Sequence, residues 1–155
     1  MKLLIRFSIL LFICNCCSSK NEMNNSLNEL FKHYGVKLNN KVKVIVIVPL
    51  EGCNKCISPA INFSKKNLGN EAVYFILTTS YKKITESYYS SDDLLNKNLI
   101  EDNKLIAQKL NLTSPIAPKV YFVKRNKIER IEDMSKTYDK ETIYGEINEF
   151  LSEVQ

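Results

Sequence analysis

Apolar residues recur along the chain with two periods, which predict strands and helices in alternation. Short runs rich in β-branched residues indicate strands buried on both faces, and these lie at 42–48, 72–77 and 119–124. Weaker patterns predict a short strand or turn at 98–101 and a returning strand at 128–131, after a hairpin turn at Asn126-Lys127.

Between the predicted strands, apolar residues recur at the spacing that is typical of helices. A capping box at Ser26 and Glu29 starts the first helix, and Gly35 ends it. Further helices are predicted at 54–68, 81–89 and 104–110, with a polar break at 90–93. Asp139 is the predicted cap of the last helix. The predicted inner face of that helix consists of Ile143, Ile147, Phe150, Leu151 and Val154.

Alternating strands and helices predict an α/β fold with a parallel sheet covered on both sides, to which the last hairpin adds antiparallel strands. We therefore expect a three-layer α/β/α sandwich with a mixed central sheet, formed by residues 26–155. A chain of 155 residues with 45% hydrophobic residues is enough for one such domain.

The first residues have the pattern of a secretory signal. Lys2 and Arg6 precede an apolar run at 7–13 that is too short to span a membrane, so 1–15 are predicted to be a signal peptide. The cysteine that follows resembles the lipobox of bacterial lipoproteins, in which a cysteine is acylated and becomes the mature N-terminus. Cys16 fits best and Cys17 is the alternative, while a simple cleaved signal peptide with incidental cysteines remains open.

This resemblance implies a domain anchored by lipid to a bacterial membrane, in the cell envelope and facing the periplasm. Residues 16–25 would form the lipidated N-terminus and a polar, flexible tether at 21–25. The formal charge of +5 falls to about +3 without Lys2 and Arg6, which is too weak to indicate nucleic-acid binding. We also expect a monomer that uses no cofactor.

Two of the five cysteines lie in the predicted domain, as the motif Cys53-Asn54-Lys55-Cys56. Outside the cytosol such a pair is either a structural disulfide or a redox couple. A loop of four residues constrains the unfolded chain little, which favours redox chemistry. The motif lies between a strand and the start of a helix, where backbone N–H groups and the helix dipole favour a thiolate. Lys55 adds a positive charge that is expected to lower the pKa of the first cysteine.

Metal binding is the other use of two close cysteines. A structural zinc site needs two more ligands, and His33 is the only histidine and lies on a separate predicted helix, so no metal site is predicted. Cu(I) accepts two soft thiolates and remains an alternative.

The order of strand, CxxC, helix, proline, strand and hairpin resembles the thioredoxin-like family, in particular its lipid-anchored thiol-disulfide oxidoreductases. The resemblance covers about 41–155 and rests on Cys53-Asn54-Lys55-Cys56 and on the segment 112–123, LTSPIAPKVYFV. It implies that Cys53 is the nucleophile and Cys56 the resolving cysteine, acting on a protein dithiol or disulfide.

The resemblance also assigns a substrate-binding segment. Pro118 matches the cis-proline that precedes a strand in this family, with Pro115 as the less favoured candidate, and Ala117 would offer backbone groups to a bound peptide. Gly52 stands where an aromatic residue is common. Three functions follow as hypotheses: an oxidoreductase, a docking module with an inert disulfide, and a Cu(I)-handling protein.

Overall fold

A computed structural model describes residues 20–36, 41, 43–136 and 140–153 of the chain. Its helices are α1 (20–33), α2 (Asn54–Asn67), α3 (Lys82–Tyr88), α4 (Ser91–Leu94), α5 (Ile106–Lys109) and α6 (Lys140–Glu153). Its strands are β1 (Val44–Pro49), β2 (Val73–Thr78), β3 (Leu99–Asp102), β4 (Lys119–Lys124) and β5 (Lys127–Asp133). No described helix is long and apolar enough to cross a membrane.

The five strands form one mixed sheet in the order β3-β2-β1-β4-β5. β1, β2 and β3 are parallel, while β4 runs antiparallel to both β1 and β5. All six residues of β1 and of β2 are buried, because helices cover both faces of the sheet. The predicted α/β class, a three-layer α/β/α sandwich with a mixed central sheet, is confirmed.

Alternate residues of β1 face two separate apolar clusters. Val44, Val46 and Val48 pack with residues of α2 and α6, such as Ile57 and Ile147. On the other face, Ile45 and Ile47 pack with Leu27, Leu30 and Phe31 of α1 and with Ala107 of α5. The two-residue period of a strand thus fixes β1 as the centre of the molecule.

Helix α1 starts earlier than predicted and includes residues that were expected to form a tether. The helix is continuous over 20–33, so the predicted start at Ser26 is wrong and residues 21–25 are helical rather than a flexible tether. Contacts with β5 hold this first part: Asn24 Oδ1 accepts the Ile128 N–H at 2.8 Å, and Lys20 Nζ donates to the Glu129 carbonyl at 3.1 Å. The capping-box pattern could not reveal these long-range bonds.

Two smaller predictions are also corrected, and two predicted residues lie outside the described part of the chain. The polar segment predicted to break the helix at 90–93 forms α4, which begins with a capping box between Ser90 and Asp93. The hairpin turn lies at Arg125-Asn126, one residue earlier than predicted, with φ of 52° and 60°. The predicted cap Asp139 and the inner-face residue Val154 lie outside the described residues.

The end of α1 is fixed by one buried carboxylate. The Tyr34 hydroxyl donates to Asp102 Oδ1 at 2.6 Å, and Asp102 also accepts the N–H groups of Ile106 and Ala107, both at 2.8 Å. Asp102 is fully buried, so these donors replace the water that its charge would otherwise require. This carboxylate therefore joins α1, β3 and α5.

We expect the fold to lose stability in alkali, because burial raises the pKa of four tyrosines. These are Tyr34, Tyr89 (to about 12), Tyr121 and Tyr144. Above about pH 10 the unfolded chain releases these phenolic protons while the folded chain keeps them. The stabilisation is therefore complete below pH 10 and is lost as the pH rises toward 12, by at most about 1.4 kcal/mol per pH unit for each of Tyr89, Tyr121 and Tyr144. The more exposed Tyr34 contributes less, because solvent screens its interactions.

Urea unfolding at pH 7, 9 and 11 tests this expectation, and the ultraviolet absorbance of phenolate shows which tyrosines ionise in the folded protein. Complete ionisation of every tyrosine near pH 10 without unfolding would contradict it.

Candidate active site

The cysteine motif lies where β1 leads into α2. After Pro49 the chain turns, with the Gly52 N–H bonded to the Pro49 carbonyl at 3.0 Å. Cys53 is the N-cap of α2, and its carbonyl accepts the N–H groups of Cys56 at 2.8 Å and Ile57 at 3.0 Å. The motif therefore stands at the start of a helix of 14 residues, as predicted.

The two cysteines differ in their access to solvent. Cys53 is exposed, whereas Cys56, one turn into the helix, is 6% exposed. An incoming disulfide can therefore reach Cys53 directly, while Cys56 is shielded from large molecules. The resemblance assigns the nucleophilic role to the exposed cysteine and the resolving role to the buried one.

The charges around the start of α2 favour an anion. The first turn of α2 contains no acidic residue, and Lys55 in that turn is exposed. The nearest acid before the motif in sequence, Glu51, has its carboxylate held by the β2–α3 loop. Glu51 Oε1 accepts the Thr79 hydroxyl at 2.7 Å and both the N–H and the hydroxyl of Ser80 at 3.2 Å.

A second chain segment, 115–118, lies against the motif. The Cys53 N–H donates to the Ile116 carbonyl at 2.8 Å, which fixes the nucleophile to the loop before β4. A Cβ atom on Gly52 would lie 2.3 Å from the Ile116 oxygen and 3.0 Å from that of Pro115, so only glycine fits. This close approach explains why no aromatic side chain stands before Cys53.

The segment 115–118 differs in two ways from what the resemblance implies. The described residues contain no cis peptide bond, so the expected cis form of Pro118 is wrong, and the trans form is the one that X–Pro bonds ordinarily prefer. Ala117 and Pro118 are both buried, and the Pro118 carbonyl accepts the Met134 N–H at 3.0 Å. The exposed part of the segment is instead Pro115 and Ile116.

Two large apolar side chains are exposed on the segments that meet the motif. Ile116 is 60% exposed, and Tyr81, directly after the Ser80 that binds Glu51, is 65% exposed. Neither side chain was predicted from the sequence, because folding brings Ile116 to Cys53 and brings the loop that contains Tyr81 to Glu51. The sequence signal for this surface is the pattern Pro115-Ile116-Ala117-Pro118, in which the predicted substrate-binding pair, Ala117 and Pro118, is buried.

An aromatic layer lies behind Cys56. Tyr144 of α6 stacks on Phe63 at 4.7 Å between ring centroids, and its hydroxyl donates to the Met134 sulfur at 3.5 Å. Burial, followed by the negative charge of a Cys56 thiolate, raises the pKa of Tyr144. The Tyr144 hydroxyl, which interacts electrostatically with Cys56, therefore stays protonated at neutral pH.

The described residues include no group of three or more His, Cys, Asp and Glu side chains that could hold a metal ion. His33 is exposed on α1 and makes an edge contact with the Tyr34 ring.

No family model matches the chain, and no curated protein matches it either. Among solved structures, the chain is similar to a secreted disulfide oxidoreductase of Mycobacterium tuberculosis that is homologous to E. coli DsbE. The identity is 20%, over 69% of this chain and 81% of that chain, with a TM-score of 0.46. A likeness at this level transfers neither activity nor substrate, so function has to be argued from the site itself.

Proposed function

We propose that the protein is a thiol-disulfide oxidoreductase of the bacterial cell envelope, which exchanges the Cys53–Cys56 dithiol or disulfide with a protein substrate. One observation carries the proposal: Cys53 is exposed at the N-cap of α2 while Cys56 is buried one turn later. The thiolate is the reactive form of cysteine, and a helix start without acidic residues favours it.

The reaction proceeds in two exchange steps. In the reducing direction, the Cys53 thiolate attacks one sulfur of a substrate disulfide, which forms a mixed disulfide and releases the other sulfur as a thiolate. The Cys56 thiolate, once its proton has passed to water, then attacks the Cys53 sulfur, forms the Cys53–Cys56 disulfide and releases the second substrate thiolate. Two electrons pass to the substrate, and the reverse sequence oxidises it.

The surface beside Cys53 supports a polypeptide substrate. The exposed apolar side chain of Ile116, whose carbonyl accepts the Cys53 N–H, offers a contact to a chain lying across the motif. We propose that Ala117 and Pro118 provide backbone contacts to such a chain. Both residues are buried, so a bound peptide would first have to expose them.

Alkylation of the reduced protein tests the roles of the two cysteines. We expect iodoacetamide to modify Cys53 about tenfold or more faster than Cys56, because only Cys53 is exposed and stands at the helix start. Mass spectrometry of peptides sampled over time measures both rates, and unfolding the protein in urea should make them similar. Faster modification of Cys56 would contradict the assignment.

We further propose that a lipid on Cys16 anchors the protein to a membrane, with the domain in the periplasm. The proposal rests on the sequence of residues 1–20, of which 1–19 lie outside the described residues. We expect the protein to enter the detergent phase in Triton X-114 partitioning and Cys16→Ser to move it to the aqueous phase. Loss of anchoring in Cys17→Ser alone would assign the lipid to Cys17, and a wild-type protein in the aqueous phase would refute the anchor.

A further inference from the structure

The ends of the sheet differ in chemistry. β1 leads at its carboxyl end to Cys53, and β4 runs antiparallel to it, so the tip of the β4–β5 hairpin lies at the opposite end. A strand of six residues spans about 20 Å. The hairpin tip is therefore about 20 Å or more from the cysteine motif along the strands.

The hairpin tip is basic. Lys124, Arg125 and Lys127 are all exposed, within four consecutive residues. Together with Ile128 and Glu129 they line an open cavity of about 530 Å³. Glu129 is the acidic residue of this cavity. Lys124 and Glu129 also line a neighbouring cavity with Arg130 and with the α6 residues Glu146, Glu149 and Glu153, in which Glu146 binds Arg130 at 2.7 Å.

Arg125 adopts a backbone conformation in this tip that is unfavourable for arginine. Both turn residues have positive φ, 52° at Arg125 and 60° at Asn126, a conformation that favours glycine or asparagine. Asn126 suits it, whereas Arg125 does not. A side chain that weakens its own turn points to a use for its charge.

The chain leading to the predicted anchor begins at this same end. Lys20, the first described residue, contacts the Glu129 carbonyl, and Asn24 contacts the Ile128 N–H. Cys16 and Lys20 are four positions apart in sequence, a reach of at most about 14 Å. A lipid on Cys16 would thus hold the hairpin tip close to the membrane surface.

We propose that Lys124, Arg125 and Lys127 of the hairpin tip, with Lys20, form a membrane-docking surface for anionic phospholipid headgroups. When the protein docks through this surface, the cysteine motif at the opposite end of the sheet faces away from the bilayer. The inference rests on the lipid anchor of the proposed function and not on the redox chemistry. Each basic side chain at an anionic surface favours the docked state by about fivefold.

The test uses the full-length lipidated protein, reconstituted into vesicles of phosphatidylcholine alone or mixed with phosphatidylglycerol. A water-soluble amine-acylating reagent and mass spectrometry give the acylation rate of each lysine. We expect Lys124 and Lys127 to react about fivefold or more slowly on the vesicles with phosphatidylglycerol, and Lys55 to react equally on both. High salt should abolish the protection while the protein still floats with the vesicles.

Arg125→Asn supplies the matched variant, since asparagine fits the turn and the fold should be no less stable. We expect it to lower the protection about fivefold, whereas Lys104→Gln, which removes one charge after β3, should not change it. Equal acylation of Lys124 and Lys127 on both kinds of vesicle, or protection of Lys55 instead of these two, would refute the proposed docking surface. Protein that floats with neither vesicle would overturn the anchor and this inference together, while insulin reduction by the same sample would still test the redox proposal.

Discussion

Replacing Cys53 by serine is expected to reduce the rate of insulin disulfide reduction by about a thousandfold or more. A serine hydroxyl is not ionised at neutral pH and cannot form the mixed disulfide, so the first exchange step is lost. Cys53 is exposed at the N-cap and supports no core packing, so the variant should fold normally. The measurement is the turbidity of reduced insulin in the presence of dithiothreitol.

Cys56→Ser is the matched variant for this prediction. It keeps the nucleophile but removes the resolving thiol, so the mixed disulfide on Cys53 should accumulate and be visible on a non-reducing gel. Wild-type activity in Cys53→Ser would contradict the proposed chemistry. Inactivity of the wild type toward all disulfide and dithiol substrates would favour the alternative of a docking module.

Replacing Gly52 by alanine is expected to destabilise the fold by about 1–3 kcal/mol and to slow disulfide reduction about tenfold or more. The new Cβ would lie 2.3 Å from the Ile116 oxygen and 2.8 Å from its carbonyl carbon, and both are backbone atoms that cannot rotate away. The loop before β4 must therefore move, which breaks the Cys53–Ile116 hydrogen bond and displaces the nucleophile. Urea unfolding and insulin reduction measure the two effects.

Gly145→Ala is the control for the same chemical change. Gly145 is exposed within α6 and nothing would lie within 4 Å of an added Cβ. Alanine should therefore stabilise this helix by about 0.5–1 kcal/mol and leave activity unchanged. If Gly52→Ala behaved like Gly145→Ala, the contact between the 115–118 segment and the motif would be refuted.

The buried strands were the most predictable part of the fold. The runs that form β1, β2 and β4 are rich in β-branched and aromatic residues, and burial on both faces leaves polar residues only at the strand ends, at Thr78, Lys119 and Lys124. Boundaries that depend on distant partners were not predictable. Helix α1 extends back to 20 because Asn24 and Lys20 reach β5, residues more than 100 positions away in sequence.

For the site, the sequence identified the chemistry but not its surroundings. Cys53 and Cys56 were predictable because their spacing and their place after a strand are local features. The contact of Ile116 with the motif was not, since it joins residues more than 60 positions apart. Gly52 was the available signal, because a glycine before the nucleophile indicates another backbone close by.

The contacts between α1 and β5 also bear on self-association. β5 is an outer strand, and unpaired N–H and C=O groups on such a strand are a template for pairing with another chain. The Ile128 N–H and the Glu129 carbonyl, adjacent groups on this strand, are occupied by Asn24 and Lys20. Edge-to-edge pairing between copies crowded on a bilayer would therefore be blocked along this stretch. The residues that block it, Lys20 and Asn24, lie four and eight positions after the predicted lipid attachment at Cys16.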